Sequence, residues 1–534
     1  MPRLPTWITR RASVEMALAG CAGGVAMWGL PPAPAPLPAI LGLALWLRLL
    51  EGTRSRRGAW LGFAFGLGHF VPGLAWLWTS LHVYGKIPSV VVVLMIAGLA
   101  AILAGYTALF GALLPRLVVR PVMLPVAAGA LWVVTEWLRA HVLSGFPWNL
   151  IGYVWDGVDP VVQIADLGGV YLLSGLTLFL AGLVALLSRS EAWRRWERPV
   201  WVGVMGVVVM GAAWFYGQQR LRELAALAPA AGAAREMRVA LVQGNIAQDL
   251  KWEPTRQKEW LHRYLDLTAA LDRSVDLVVW PETAAAFFLQ AAPRELESIV
   301  AVSRGLQAPI LTGAPMANQN EHKEWLFFNS MVLIGARESG DFLHRYDKHH
   351  LVPFGEYIPF RALAPQSLRK LTHGAKDFSS GPGPALLEWG LGAFGPLICY
   401  EVIFPDEVRE LARQGARWLI NVTNDGWFGE SAKPQHLAMA RMRAVENRLP
   451  MIRVANSGIS AVFDAAGREL GRIPSNEPGS LVVAVPQGVG ESLWSRQGHR
   501  WIWAWSGLCL LLWGVARLAG FPPPSTDDRA ILKS

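Results

Sequence analysis

The sequence predicts two architectures in one chain: a polytopic α-helical membrane domain with eight transmembrane helices, and a layered α/β domain placed before the last of them. Three observations carry this. Of the 534 residues 53% are hydrophobic and only 17% charged, where a soluble chain has about 25% charged. Apolar runs follow one another from Ala12 to about Gly217 and return at Trp501 to Gly520, whereas 237–487 has the mixed composition of a globular domain. Within that middle stretch, short apolar runs alternate with amphipathic ones, the signature of strands and helices in turn.

A membrane span needs about 20 predominantly apolar residues. The segments that meet this are 12–30, 35–50, 58–81, 88–115, 121–140, 165–188, 199–217 and 500–519. The first two are divided by Pro31-Pro32-Ala33-Pro34-Ala35-Pro36, which cannot continue a helix because proline lacks the backbone donor. The expected plan is seven helices in 1–220, a linker 221–236, an extracytoplasmic domain 237–487, a linker 488–499, an eighth helix 500–519 and a cytoplasmic tail 520–534.

Arginines in the short loops set the orientation. Arg3, Arg10 and Arg11 precede the first span, Arg54, Arg56 and Arg57 follow the second, Arg116 and Arg120 follow the fourth, and Arg189, Arg194, Arg195 and Arg198 follow the sixth. All fall on one side, which is therefore cytoplasmic, with both termini there; the opposite loops hold chiefly Lys86. The net charge of +9 is explained by these loops against anionic lipid and does not imply nucleic acid. Leu18-Ala19-Gly20-Cys21 after Arg10-Arg11 mimics a lipidated signal peptide, but Glu15 interrupts the apolar run, so an uncleaved first helix is expected. Arg139, at an outer helix end, is read as either a phosphate attractor or a helix-end anchor. The spans are read as lacking the ionisable interior clusters of a transporter.

In the middle domain the expected order is strand 237–246, helix 254–273, strand 275–282, helix 293–305, strands 309–315 and 327–335, a loop around Lys348, a strand ending at Cys399, helix 405–416, strand 417–423, helix 434–449, and strands 451–463 and 479–485. Three polar residues end or follow apolar runs: Glu282 after Val278-Val279-Trp280-Pro281, Lys348 after Tyr346-Asp347, and Cys399 after Gly395-Pro396-Leu397-Ile398. Strand ends of α/β sheets are where rigid backbone meets an accessible turn. Cys21 and Cys509 fall within predicted spans, so Cys399 has no disulfide partner in its domain. It is either a small core residue or a nucleophile. A carboxylate can take a thiol's proton as it attacks a carbonyl, which suits Glu282, and a compact cation can hold the resulting oxyanion, which suits Lys348. Glu356 either holds that lysine, relays a proton or lies on the surface. His349-His350 lacks companions at metal-ligand spacing, and no metal is expected.

Glu282, Lys348 and Cys399, in that order, resemble the Glu-Lys-Cys triad of the nitrilase (carbon-nitrogen hydrolase) superfamily, over about residues 237–485. The resemblance implies a nitrilase-like αββα sandwich, two sheets packed face to face between helices. With the membrane half attached, the chain resembles the apolipoprotein N-acyltransferase family. The matching motifs are Val242-Gln243-Gly244-Asn245-Ile246 with Lys251-Trp252, Trp280-Pro281-Glu282, Pro353-Phe354-Gly355-Glu356-Tyr357-Ile358-Pro359, Cys399-Tyr400-Glu401, Asn421-Val422-Thr423-Asn424-Asp425-Gly426-Trp427-Phe428, and, in the membrane half, Glu136-Trp137-Leu138-Arg139 with Gly145-Phe146-Pro147-Trp148.

That family resemblance implies an acyltransferase that moves a fatty acyl chain from a membrane phospholipid, by way of a Cys399 thioester, to the α-amino group of the S-diacylglyceryl-cysteine of apolipoproteins. It is the final step of bacterial lipoprotein maturation, and ping-pong. Glu282, Lys348 and Cys399 match the catalytic positions; Trp252, Glu356, Tyr400 and Glu401 match supporting ones. No cofactor is implied. The partners are phospholipid, apolipoproteins and the bilayer; the protein is expected as a monomer in the inner membrane, its catalytic domain periplasmic. Phe287-Phe288-Leu289, Trp325-Leu326-Phe327-Phe328, Phe360-Arg361-Ala362-Leu363 and Trp427-Phe428 are candidate membrane-facing loops or ordinary core. The competing enzyme is a membrane-tethered nitrilase-type amidase that releases its acyl product to water.

Overall fold

The computed structural model describes residues 10–188, 197–227, 236–253, 255–335, 342–359, 361, 376–390 and 392–518. Arg3, Arg189, Arg194, Arg195, Phe360, Ala362, Leu363 and the tail 520–534 lie outside the described residues, as do the side chains of Arg10, Arg11 and Arg198. The chain forms two compact units, one of residues 1–78, 88–220 and 497–534, the other of 79–87 and 221–496.

The first unit is helical: α1 (Arg10–Trp28), α2 (Pro36–Leu50), α3 (Ser55–Gly73), α4 (Ser89–Leu117), α5 (Leu124–His141), α6 (Asp159–Val162), α7 (Ala165–Leu187), most of α8 (Glu197–Leu227), and a closing helix Arg500–Leu518. Among the described residues, four stretches are long and apolar enough to cross a bilayer: Ser89–Leu117, Pro121–His141, Ala165–Leu187 and Val200–Leu227; Ala12–Trp28 and Pro36–Leu50 are shorter apolar helices. The expected span 58–81 is cut short. Pro72 occupies the last turn of α3, and Thr79–Tyr84 forms a separate helical turn that belongs to the second unit. Small residues let α3 and α4 touch backbone to backbone: a Cβ on Gly62 would lie 2.1 Å from the Thr107 carbonyl oxygen.

Two expectations for this unit are overturned. Its interior does hold ionisable groups, since His69, Glu136, Arg139 and Asp166 are buried. Arg139 is neither anchor nor free phosphate attractor. Its Nη1 donates to the carbonyls of Phe146 at 2.8 Å and Trp148 at 2.6 Å, and its guanidinium lies over the Phe70 ring. Asp166, in the first turn of α7, accepts from the Tyr216 hydroxyl at 2.7 Å and from Arg220 at 3.1 Å, tying α8 to α7.

The second unit is an α/β sandwich of two six-stranded sheets. Its elements in chain order are β1 (Met237–Gln243), α9 (Gln257–Ala269), β2 (Leu277–Val279), α10 (Pro293–Leu306), β3 (Ile310–Gln319), β4 (Trp325–Ile334), β5 (Phe342–Asp347), β6 (Leu387–Trp389), β7 (Gly392–Ile398), α11 (Pro405–Arg413), β8 (Trp418–Thr423), α12 (Ala432–Asn447), β9 (Met451–Ala455), β10 (Ser460–Phe463), β11 (Glu469–Ile473) and β12 (Gly479–Val485). One sheet runs β12-β1-β2-β3-β4-β5, the other β11-β10-β9-β8-β7-β6. β1, β2 and β3 are parallel, as are β7, β8 and β9, and the outer pairings are antiparallel.

The period-two alternation of β1 explains the layering. Val239 and Leu241 join Ile398, Ile420, Val422 and Val454 in the core between the sheets, while Ala240 and Val242 face Trp260, Tyr264 and Ile299 of α9 and α10. The second sheet's other face carries α11 and α12. The stretch expected as one strand, 451–463, is two, because Asn456 to Ile459 turn the chain between β9 and β10. Strands β5, β6 and β11 lack long apolar runs and were not foreseen.

Candidate active site

Three side chains and one main-chain N–H, that of Asn424, meet where strands end. β2 delivers Glu282 and β5 delivers Lys348 on one sheet; β7 delivers Cys399 and β8 Asn424 on the other. Each strand enters the site with its C-terminal end, so rigid hydrogen-bonded backbone runs up to each functional residue. Trp280 anchors the β2 end: it is fully buried, stacks on Tyr264 at 5.2 Å and donates through Nε1 to Thr268 at 2.9 Å. The turn that follows packs directly on β3, where a Cβ on Gly313 would fall 2.4 Å from the Thr283 nitrogen and 2.6 Å from Glu282 Cα, so only glycine fits.

Glu282 is held at both oxygens. Oε1 accepts from Asn329 Nδ2 at 2.7 Å and lies 3.9 Å from Lys348 Nζ; Oε2 accepts from the main-chain N–H of Asn424 at 2.8 Å. Lys348 is 1% exposed and sits 2.9 Å from Glu356 Oε2. Burial disfavours the lysine's charge, but Glu356 and then Glu282 more than offset it and hold the ammonium above its ordinary range. Glu356 is itself fixed by the Val352 N–H at 2.9 Å and by Asn329 at 2.9 Å, so one asparagine bridges both carboxylates.

Cys399 is 6% exposed and has φ of +52°, a left-handed conformation that costs a non-glycine residue energy. Its carbonyl accepts from His436 Nε2 at 3.2 Å and from Asn421 Nδ2 at 3.4 Å. Burial and the Glu282 carboxylate push the thiol up, against the pull of Lys348. The resting sulfur is therefore protonated, and attack requires a base to take that proton.

Glu401 ties the two sheets' strand ends together. Its Oε2 accepts from Ile398 N–H at 2.7 Å, and its Oε1 from the Tyr346 hydroxyl at 2.8 Å, His349 N–H at 2.7 Å and His350 N–H at 3.2 Å. Burial, with Glu407 nearby, pushes its carboxyl up to about 7. Tyr400 points elsewhere, its ring against Phe404 and His350. Trp252 is half-buried in the loop between β1 and α9. His349 and His350 engage different partners, the Gly381 carbonyl and Glu407. Of the aromatic loops, Trp325 and Phe288 are exposed, whereas Leu289 and Phe328 are buried and Phe287 and Phe428 pack against the cores.

Several site groups escaped the sequence reading. Asn329 lies mid-strand, where an asparagine gives no periodic signal. Asn424-Asp425-Gly426 lies within a motif that the family resemblance picks out, and what the sequence does not show is its partners: Asp425 forms a buried cluster in which Arg453 Nη2 donates at 2.6 Å, His436 Nδ1 stands at 3.1 Å and Thr423 Oγ1 donates at 2.8 Å. Burial would raise the Asp425 carboxyl, yet Arg453 and His436 hold it well below the usual range. This cluster lies under Cys399 and fixes its carbonyl through His436. The same loop is clasped by the Thr79–Tyr84 turn of this unit: Ser80 Oγ donates to the Trp427 carbonyl at 2.6 Å, and Tyr84 and Trp427 meet edge to face.

A buried cysteine, lysine and glutamate thus meet at the strand ends of a two-sheet sandwich, and residues 238–493 match the carbon-nitrogen hydrolase family. Residues 22–183 match the apolipoprotein N-acyltransferase N-terminal domain. The chain is 38% identical to the apolipoprotein N-acyltransferase of Geobacter metallireducens over 88% of this chain and 90% of that one, 34% identical to that of Vibrio cholerae over 88% and 91%, and 36% identical to that of Azotobacter vinelandii over 96% of each. It belongs to the apolipoprotein N-acyltransferase family and is an acyltransferase. Among solved structures it is similar to an amidase from Nesterenkonia sp. AN1 of the nitrilase superfamily, 22% identical over 49% of this chain and 93% of that one, with a TM-score of 0.35.

Proposed function

We propose that the protein takes a fatty acyl chain from a membrane phospholipid onto Cys399 and passes it to the α-amino group of S-diacylglyceryl-cysteine on apolipoproteins. The observation that supports this most is the buried set of Glu282, Lys348 and Cys399 at the strand ends, its carboxylate held on both oxygens. Glu282 takes the Sγ proton as sulfur attacks the ester carbonyl carbon, and Lys348 stabilises the oxyanion. The ester C–O bond breaks, the lysophospholipid oxygen takes the proton from Glu282, and the acyl group remains as a thioester. In the second half the acceptor amine attacks the thioester carbon. The C–S bond breaks, the amine's proton passes by way of Glu282 to the departing sulfur, and the amide and free thiol are left.

In this reading Glu356 holds Lys348, and Glu401, Tyr400 and Trp252 support the site; the reaction uses no cofactor and the enzyme is a monomer. The four long apolar helices and the shorter ones belong to a set of eight spans. The domain plan is the one read from the sequence, 1–220, 237–487 and 500–519 with linkers between. The loop arginines favour an inner-membrane protein with cytoplasmic termini and a periplasmic catalytic domain. A membrane-impermeant thiol reagent on intact spheroplasts is expected to label a cysteine placed at Ser475 and spare one at Arg195; labelling of the Arg195 site alone contradicts the orientation. For the chemistry, peptide mass spectrometry after incubation with phospholipid is expected to find one acyl group on Cys399. An acyl group on another residue, or none with turnover intact, overturns the reading.

A further inference from the structure

A second buried lysine stands at this site. Lys251, in the loop between β1 and α9, is 1% exposed, and its Nζ donates to the main-chain carbonyl of Glu282 at 2.9 Å. An ammonium has three N–H groups, and this bond uses one. Lys348 is clamped by Glu356 and Glu282, but Lys251 has no ion-paired carboxylate among the described residues. Its electrostatic neighbours are Glu282 and Cys399. In the sequence the residue is visible as half of Lys251-Trp252, yet the family resemblance gives a role only to the tryptophan.

The charges around the thiol explain why a second cation matters. Lys348 contributes one positive charge, and Glu282 and Glu356 one negative each, a formal total of minus one among buried groups. Asp425 adds a further negative influence on Cys399, though Arg453 and His436 neutralise much of it. A buried anionic cluster opposes formation of another anion. Lys251 brings the group of Lys348, Glu282 and Glu356 to zero.

We propose that Lys251 is a positioning residue of the acyl-transfer reaction, fixing the Glu282 turn by its carbonyl and supplying the uncompensated positive charge against which the Cys399 thiolate forms. The proposal rests on Cys399 being the nucleophile. Burial lowers the lysine's own pKa to about 8, against the pull of Glu282 and Cys399, as expected of a cation with no dedicated counter-ion. An arginine keeps the charge, whereas methionine keeps the aliphatic volume and loses both charge and hydrogen bond.

The test is the pH profile of Cys399 alkylation by iodoacetamide in the full-length, detergent-solubilised protein, from about pH 6 to about pH 10, resolved by peptide mass spectrometry so that Cys21 and Cys509 are read separately. Removing one nearby cation is expected to slow Lys251→Met about tenfold near neutral pH and to move its profile up by about one pH unit, with Lys251→Arg within about threefold of the parent. Lys251→Gln repeats the measurement with a side chain that can still bond the carbonyl; it is expected to follow methionine. A methionine or glutamine profile that overlays the parent's overturns the proposal, as does an arginine variant that loses as much as methionine. The parent protein separates this from the underlying assignment. If phospholipid fails to protect parental Cys399 from alkylation, the nucleophile reading fails whatever Lys251 does.

Discussion

The helical unit and the α/β unit each bury a carboxylate beside a cation, and they use the pair differently. Glu136 and Arg139 stand 4.0 Å apart on α5; the carboxylate accepts from the Ile151 N–H at 2.9 Å, and the guanidinium donates to the Phe146 and Trp148 carbonyls. Their polar atoms are turned onto the loop 142–151, which they pin to the helix. Glu282 and Lys348 stand 3.9 Å apart, but they converge from different strands on a thiol held at positive φ. A buried ion pair is therefore not by itself a sign of chemistry. What distinguishes the second pair is a buried thiol within its field and a set of outer donors, Asn329 and Asn424, that aim the carboxylate without neutralising it.

The largest expected effects break the second pair. Cys399→Ala, Glu282→Gln and Lys348→Ala should each lower acyl transfer by about 10³-fold or more, and double variants should lose little further, because the three act as a unit. Lys348→Arg should fail as well, since the wider planar guanidinium does not fit the place of an ammonium clamped between two carboxylates. Melting temperatures should stay near the parental value. A Glu282→Gln enzyme with near-normal turnover contradicts the assignment of the base.

Arg139→Ala is the counterpart in the helical unit. It leaves Glu136 and two carbonyls without their partner and should cost about 3–5 kcal/mol of stability. Thermal unfolding in detergent checks this, with kcat expected to be nearly unchanged in the folded fraction. An Arg139→Ala protein of parental stability that loses acyl transfer would reverse the contrast between the two pairs.

The Lys251 charge makes a pH prediction. Its folded pKa of about 8 lies below the ordinary 10.5, so between those values the unfolded chain binds a proton that the folded protein does not, and stability rises with pH. The penalty is fully present below pH 8 and is relieved by pH 10.5, a window worth about 3 kcal/mol at most. Parent minus Lys251→Met, measured as stability against pH, should show that rise; a flat difference contradicts a depressed lysine. At the smallest end, Trp325→Ser removes a side chain 52% exposed and should change stability by no more than about 0.5 kcal/mol.

Much of this site was legible because strands announce their ends. Apolar runs stopping at Glu282 and Cys399, and a lysine after Tyr346-Asp347, placed the three residues in the right topological positions, and the αββα layering followed from the alternation. What was hidden depends on partners distant in sequence. Asn329 is meaningful only because β4 brings it between Glu282 and Glu356; His436 and Arg453 only because α12 and β9 carry them beneath Cys399. Periodicity gives the face of an element and not the residue it meets. Arg139 was misread for the same reason: a helix-end arginine looks exposed until the loop that follows folds back to cap it.

The most direct measurement of the central claim is a single-turnover burst. Phospholipid alone should load Cys399, release lysophospholipid in about stoichiometric amount and then stall, because a thioester kept from water awaits its amine; adding a diacylglyceryl peptide should discharge the acyl group to the peptide. Steady release of free fatty acid without acceptor would make the protein a hydrolase. A burst that survives prior alkylation of Cys399 would contradict the account outright.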